Sequence, residues 1–236
     1  MSLLEIEGLS AGHGELIVLR ELSLAVEAGT VHCLSGRNGA GKSTLLHAIA
    51  GLVRASAGRL RLDGTDITAE PAHARPALGI GYVPQGRRLF GALSVAENLD
   101  VAAGSPAGER PRPSRREVLS RFPVLEERLG QRADTLSGGE QQMLATARAL
   151  AIAPRVLLMD EPTEGLQPSM VAAIRETATS LAAEGVAVVL VEQRLDEVLD
   201  ISDAVTFVEN GEARGTLSGE EVRADPALVR RYLGVG

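Results

Sequence analysis

Nine residues near the start of the chain, GRNGAGKST (Gly36–Thr44), have the types and spacing of a phosphate-binding loop. Gly36, Gly41, Lys42 and Ser43 satisfy the pattern G-x-x-x-x-G-K-[ST]. Glycines let successive backbone N–H groups turn towards one anion, and a helix that begins near Lys42 adds the positive end of its dipole. The Lys42 amine can reach the β and γ phosphates of a nucleotide, and the Ser43 hydroxyl can ligate magnesium.

A glycine-rich turn that matches this pattern by chance is the alternative. Lys42 argues against it, because it is the only lysine among the 24 lysine and arginine residues of the chain. Arginine presents a broad planar fork, whereas lysine presents a compact charge that fits between phosphates. Phosphate binding is therefore the function that this loop predicts.

A second stretch, VLLMDE, is an apolar strand that ends in two acids. Ligands of α/β sheets bind at the carboxyl ends of the strands, which is where Asp160 and Glu161 fall. We expect Asp160 to hold magnesium and Glu161 to orient and activate an attacking water. Two acids that enter a turn at Pro162 are the alternative, and the phosphate-binding loop upstream favours the functional interpretation.

A third stretch, TLSGGEQQMLATARAL, predicts a helix that begins at an unusual sequence. Ser137 and Glu140 have the spacing of a capping box. A cap does not need the two glycines between them, Gly138 and Gly139. A helix terminus that presents bare backbone N–H groups to a phosphate does need them.

Composition restricts the class of protein. A chain of 236 residues can bury a sizeable core, and its net charge of −7 with a pI near 5.2 argues against a nucleic-acid-binding surface. The single cysteine, Cys33, lies in an apolar strand and is interpreted as a core residue, which suits a reducing compartment. We expect no signal peptide and no membrane span, because the start has no basic region and the longest apolar runs are too short.

The elements around these motifs alternate between strands and helices. Apolar strands are predicted at Val31–Ser35, Gly79–Gly86, Val156–Asp160 and near Val186–Val191, with an Asn210-Gly211 hairpin after them. Half-buried strands at the N-terminus predict an antiparallel part. The fold class is therefore α/β, with a mostly parallel core sheet covered on both faces. The pattern of apolar strands stops near residue 86 and returns near residue 150. We therefore predict one domain, in which residues 1–85 and 150–236 form the core and residues 86–149 form a helical insertion.

Together the motifs resemble those of ATP-binding cassette (ABC) ATPases, which are P-loop NTPases, over essentially the whole chain. GRNGAGKS is similar to the family's Walker A motif, LSGGE to its signature, and VLLMDE to its Walker B motif with the catalytic glutamate. The resemblance implies ATP and Mg²⁺ as cofactors, with Ser43, Gln85 and Asp160 at the metal. It implies catalytic roles for Glu161, Gln85 (the Q-loop glutamine) and Gln193. The ATP-binding residues it implies are Gly36, Arg37, Asn38, Gly39, Ala40, Gly41, Lys42, Ser43, Thr44 and His13.

In that family two ATPase domains pair head to tail, so that each ATP lies between one P-loop and the signature of the other domain. Ser137, Gly138, Gly139 and Glu140 would therefore act in trans. Gln85 would couple the nucleotide site to a membrane subunit docked on the helical insertion. The implied partners are a second ABC ATPase subunit, transmembrane permease subunits and, indirectly, a solute-binding protein.

Three positions depart from the family pattern. Gln193 stands where many members have histidine, and glutamine can hydrogen-bond a γ-phosphate but cannot carry the proton or charge of histidine. Gln167 stands where aspartate is usual. His13 stands in place of an aromatic residue that stacks on the base, and an ordinary loop histidine is the alternative.

These departures, with GYVPQGRRLF and DEPTEGLQPS, resemble one ATPase subunit of uptake systems for branched-chain amino acids, amides or urea. Members of this branch share the glutamine at Gln193, and the systems pair two different ATPases. The predicted protein is a cytoplasmic ATPase subunit, peripheral on the inner face of the cell membrane through its permease. A non-transport ABC ATPase, a cassette of another transporter class and a P-loop kinase are the alternatives. The sequence does not identify the solute, and these two motifs are more similar to those of the urea-type members.

Overall fold

The fold is that of a computed structural model, which describes residues 2–104, 111–192 and 199–225 together with Leu228 and Tyr232. These residues form ten β-strands and seven α-helices. The strands are β1 (Ser2–His13), β2 (Leu16–Glu27), β3 (Val31–Ser35), β4 (Ala55–Leu62), β5 (Thr65–Asp66), β6 (Ile80–Val83), β7 (Val156–Asp160), β8 (Ala187–Val191), β9 (Ala204–Glu209) and β10 (Glu212–Ser218). The helices are α1 (Lys42–Ile49), α2 (Val95–Ala103), α3 (Arg115–Leu119), α4 (Pro123–Glu126), α5 (Gly138–Leu150), α6 (Pro168–Ala183) and α7 (Gly219–Ala224).

A six-stranded sheet lies at the centre, in the order β10-β9-β3-β8-β7-β6. The pairs β3–β8, β3–β9, β7–β8 and β6–β7 are parallel, and only β10 runs antiparallel to its neighbour β9. A second sheet, in the order β2-β1-β4-β5, is antiparallel throughout. The predicted α/β class, with a mostly parallel core and an antiparallel N-terminal part, is confirmed.

Alternating residues of the central strands bury against two opposite cores. On β7, Leu157 and Met159 belong to one apolar cluster, which includes residues of α5 and α6. Val156 and Leu158 belong to the other, with residues of α1 and of the antiparallel sheet. All four side chains are fully buried, and each contributes about 1.5–3 kcal/mol by leaving water. Continuous apolar runs are needed here because both faces of the sheet are covered.

Helices α2 to α5 follow β6 and precede β7 in the chain. The capping box predicted at Ser137 is confirmed, and the same S-x-x-E spacing forms capping boxes at Ser94, Ser114 and Ser218. In each, the serine hydroxyl accepts a hydrogen bond from the N–H of the third helical residue. Helix α5 runs one residue beyond the predicted insertion and buries most of its length in the core cluster. The division into residues 1–85 with 150–236 and residues 86–149 remains a prediction.

The last strand pair, β9 and β10, turns at Asn210 and Gly211, as the Asn-Gly dipeptide predicts. Both residues have positive φ, 51° and 83°, which the tight hairpin turn requires. Cys33 is fully buried in β3, as predicted. Across the described residues, no helix combines the length and apolar character needed to cross a bilayer.

Candidate functional site

The candidate site lies where parallel strands of the central sheet end. The loop Gly36–Thr44 follows β3, Gln85 follows β6, and Asp160 is the last residue of β7. Strands β6 and β7 are direct neighbours, and β8 separates β7 from β3. Because the carboxyl ends of parallel strands share one edge, three distant parts of the sequence meet there.

The loop after β3 depends on glycine for two different reasons. A Cβ on Gly36 would lie 2.1 Å from the carbonyl oxygen of Val208, so no larger residue fits beside β9. Gly39 and Gly41 have φ of 79° and 109°, which other residues adopt only with strain. Gly41 caps α1 without a side-chain hydrogen bond, so the first N–H groups of the helix are not covered by a capping side chain.

Lys42 is held inside this loop by backbone carbonyls. Its Nζ donates hydrogen bonds to the carbonyl oxygens of Gly36 at 2.6 Å and Arg37 at 3.1 Å, and the residue is only 5% exposed. Burial lowers the pKa of Lys42, while the nearby carboxylates of Glu161 and Asp160 raise it. A buried compact cation in a glycine-rich loop at the start of a helix fits a polyphosphate, whose negative charge it would partly neutralise.

Ser43 and Asp160 face each other across the site. The Ser43 hydroxyl donates to Asp160 Oδ1 at 3.0 Å, and Asp160 is 2% exposed. Burial raises the pKa of Asp160, and the hydrogen bond from Ser43 opposes that rise. One hydroxyl and one carboxylate oxygen fit Mg²⁺, which typically takes one or two carboxylates from the protein and completes its shell with phosphate and water.

Gln85 lies against two carboxylates. Its Nε2 donates to Glu161 Oε2 at 3.2 Å and to Glu164 Oε2 at 3.1 Å. Glu161 has φ of 47°, and its backbone N–H donates to the carbonyl oxygen of Val191 at 2.9 Å. Gln85 and Glu161, predicted from separate motifs, are therefore brought together. Glu164 is a neighbour that sequence reasoning misses, since nothing in EPTEG marks its side chain as turned back towards the site.

The glycines at the start of α5 are each covered by a side chain of the same chain. A Cβ on Gly138 would lie 3.1 Å from Nη2 of Arg87, and one on Gly139 would lie 2.7 Å from Cγ of Met170. Ser137 caps the helix, and Glu140 completes the box by accepting from the Ser137 N–H at 2.8 Å. Close packing is thus a second reason for these glycines, besides access of a phosphate to the backbone.

Three further hydrogen bonds support the site, and none of them can be predicted from the sequence. The N–H of Gly211 donates to the carbonyl oxygen of Ala40 at 2.9 Å, which ties the β9–β10 turn to the phosphate-binding loop. The buried carboxylate of Glu192 accepts from the N–H and the hydroxyl of Thr163, at 3.1 and 2.8 Å. The sequence shows an Asn-Gly turn and a strand that ends in LVEQ. It does not show that these segments bond to Ala40 and Thr163.

Two predicted residues are not joined to this cluster by a described contact. His13 is exposed at the end of β1, paired with Leu16 across the hairpin, so its role at a base remains a prediction. Gln193 lies outside the described residues, and its role also remains a prediction. Gln167, the other departure from the family pattern, is exposed and precedes the first residue of α6.

Comparisons with known proteins agree on one family. The family model described as ABC transporter matches residues 19–164. The chain is 38% identical to the high-affinity branched-chain amino acid transport ATP-binding protein BraG of Pseudomonas aeruginosa, over 98% of this chain and 100% of that relative. It is 35% identical to the lipopolysaccharide export system ATP-binding protein LptB of Haemophilus influenzae, over 99% and 98% of the two chains. A nucleotide-free ATP-binding cassette from an ABC transporter matches with a TM-score of 0.85 at 29% identity, over 99% of this chain and 100% of that chain.

Proposed function

The chain belongs to the ABC transporter family as an ATP-hydrolysing subunit, and from this premise we propose that it powers uptake of a small solute. The observation that carries the nucleotide chemistry is the convergence of Lys42, Ser43, Asp160 and Glu161 at one edge of the sheet. The observation that favours import is the full-length similarity to BraG, a branched-chain amino acid transport protein.

In the proposed reaction each residue has one task. The N–H groups of Gly36–Thr44 and the Lys42 amine bind the β and γ phosphates of ATP. Ser43 and Asp160 hold Mg²⁺, which when bound neutralises charge on the phosphates and on the leaving group. Glu161 orients a water molecule in line with the γ-phosphate and accepts its proton. The water oxygen bonds to the γ-phosphorus while the bond to the bridging oxygen breaks, so that ADP and phosphate leave.

The second half of each site comes from another cassette in this proposal. Ser137 and the N-terminal N–H groups of α5 would bind the ATP held by the partner's loop. We propose that this partner is a different chain, because Gln193 and Gln167 stand where many family members have histidine and aspartate. Both cassettes would lie on the cytoplasmic side of the membrane, bound to permease subunits, and a solute-binding protein would deliver the solute.

Export is the second candidate function, since similarity to LptB, an export-system protein, is nearly as high and equally complete. The sequences of the motifs GYVPQGRRLF and DEPTEGLQPS support import. They leave branched-chain amino acids, amides and urea as alternatives for the transported solute. The nucleotide-binding residues alone do not distinguish them, because function at this level depends on partner subunits rather than on the fold.

The test is solute uptake in a strain that lacks this chain. Labelled leucine, an amide and urea are supplied separately, and the deletion is complemented with the full chain or with Lys42→Ala. We expect loss of uptake of one of these solutes, restored by the full chain and not by the variant. Unchanged uptake of all three, together with a defect in envelope lipopolysaccharide, would favour export instead.

The identity of the partner is tested by purifying the assembled transporter through a tag on this chain. A second, different ATPase subunit should co-purify in equal amount. Two copies of this chain without another ATPase would contradict a heterodimer, and would leave the ATPase assignment intact.

A further inference from the structure

The side-chain amide of Gln85 has both hydrogens of its nitrogen committed. Nε2 donates to Glu161 Oε2 at 3.2 Å and to Glu164 Oε2 at 3.1 Å. An amide nitrogen has two donors, and an ionised carboxylate has only acceptors. The two carboxylates therefore fix which end of the amide faces them, because a rotated amide would turn Oε1 against two carboxylate oxygens. With Nε2 bonded to both carboxylates, Oε1 is the end of the amide that is left to accept from, or coordinate, another group.

Glu164 reaches Gln85 because its backbone is folded back by a turn. The Glu164 N–H donates to the carbonyl oxygen of Glu161 at 3.2 Å. Between these residues, Thr163 is anchored by two hydrogen bonds to the buried carboxylate of Glu192. The turn is thus fixed from inside the protein, although the Glu164 side chain itself is exposed.

We propose that Glu164 is a positioning residue, which holds the Gln85 amide so that Oε1 is available as a metal ligand. This inference rests on the proposed function, in which Ser43 and Asp160 hold Mg²⁺, and on the role of Gln85 at the metal that the resemblance to ABC ATPases implies. Glu161 is a less suitable anchor, because its carboxylate has to accept hydrogen bonds from the attacking water. Glu164 can remain bonded to Nε2 throughout. Hard cations prefer oxygen ligands, so a rotated amide that presents nitrogen would be a poor ligand.

The proposal predicts a defect in metal binding and not in nucleotide binding. The full chain is titrated with Mn²⁺ in the presence of a non-hydrolysable ATP analogue, and free Mn²⁺ is read by electron paramagnetic resonance. Glu164→Ala should weaken the Mn²⁺ affinity by about three- to tenfold, the range expected for loss of one orienting hydrogen bond. Affinity for the analogue without divalent metal should stay within twofold of the natural chain. Glu176→Ala removes one exposed carboxylate on α6 and serves as the control for net charge.

A double-mutant cycle separates positioning from simple loss of negative charge. If Glu164 acts through Gln85, then Glu164→Ala should weaken Mn²⁺ binding no further in a Gln85→Ala background. Equal weakening in both backgrounds would mean that Glu164 acts as a charge and would overturn the proposal. Natural affinity in Glu164→Ala, or in Gln85→Ala, would overturn it as well.

Failure of this inference is distinguishable from failure of the proposed function. Analogue binding that persists in the absence of metal and is abolished by Lys42→Ala supports the nucleotide site whatever Glu164 does. If the natural chain binds no analogue, that result contradicts both the proposed function and the role of Glu164.

Discussion

Substitution of Gly139 by alanine separates the two reasons for a glycine at the start of α5. The added Cβ would lie 2.7 Å from Met170 Cγ and 2.9 Å from its Sδ, whereas ordinary contacts begin near 3.4 Å. Met170 must therefore retreat by about 0.7 Å. Its thioether side chain has three rotatable bonds, so the shift should cost roughly 0.5–1.5 kcal/mol. Alanine in a helix is favoured over glycine by roughly 0.5–1 kcal/mol, which offsets much of that cost.

The free energy of unfolding of Gly139→Ala should therefore lie within about 1 kcal/mol of the natural chain. ATP hydrolysis by the assembled transporter should fall much further, roughly a hundredfold, because in the proposed pair of cassettes the methyl group would obstruct backbone donors to the phosphate held by the facing cassette. Urea unfolding followed by circular dichroism gives the first quantity, and steady-state hydrolysis gives the second.

The double variant Gly139→Ala/Met170→Ala decides between packing and phosphate access. It removes the side chain that the new methyl group meets, and Met170→Ala alone is the matched control. If Gly139 serves phosphate access, hydrolysis should stay low in the double variant and near normal in the control. Recovery of hydrolysis in the double variant would refute this reasoning and leave packing as the whole explanation of the glycine.

Three further predictions concern single residues. Glu161→Gln should retain ATP binding and hydrolyse ATP at least a hundredfold more slowly, because glutamine can still accept the hydrogen bond from Gln85 but cannot take a proton; near-normal turnover would contradict the assignment. Lys42→Arg should abolish binding of a fluorescent ATP analogue, because the planar guanidinium cannot replace an amine held 2.6 Å from the Gly36 carbonyl; unchanged affinity would contradict this. His32 is 3% exposed and burial lowers its pKa from 6.5 to about 4, so the folded state resists protonation and loses stability as pH falls from 6.5 to 4, by about 3 kcal/mol in all. His32→Gln should flatten that part of the pH profile in urea unfolding, and an unchanged profile would exclude His32 as its source.

The features that sequence predicts well are those whose physical cause is local. The phosphate-binding loop, the apolar strand that ends in Asp160, and the capping boxes each lie within a few residues. The hydrogen bonds of the capping boxes and of Lys42 join residues no more than 6 positions apart. The α/β class follows from continuous apolar strands separated by helices, and it is confirmed.

The features that sequence misses join residues that are far apart. Arg87 lies over Gly138, and Gln85 bonds to Glu164, because loops after different strands meet at one edge of the sheet. The two-residue strand β5 has too short a pattern to be predicted. The strands β1 and β2 run well beyond the alternating segments LLEIE and LSLAV that they contain, since pairing along a long hairpin extends strands past their alternating residues.

The loop after Gln85 connects the edge of the sheet where Asp160 lies to the start of α5 through a strained backbone. Gly86, Arg87 and Arg88 have φ of 74°, 67° and 41° in succession, and a left-handed conformation costs a non-glycine residue about 1–2 kcal/mol. Side-chain contacts on both sides offset this cost. The Arg87 guanidinium packs on Gly138, and the Arg88 carbonyl oxygen accepts from Arg148 Nη1 at 3.1 Å.

Both of these contacts lie on α5. The guanidinium of Arg148 also lies 4.7 Å from the ring centroid of Phe90, two residues after Arg88, which fixes the far end of the loop. The strained conformation is therefore held in part by α5, together with hydrogen bonds inside the loop from the Arg87 N–H to the Pro84 carbonyl and from the Arg88 N–H to the Gly86 carbonyl. Gln85 precedes Gly86 directly, so the position of the Gln85 amide and the position of α5 are set by one continuous set of contacts. We therefore expect a movement of α5 relative to the sheet to change the contacts of Arg87 and Arg88, and with them the loop that follows Gln85.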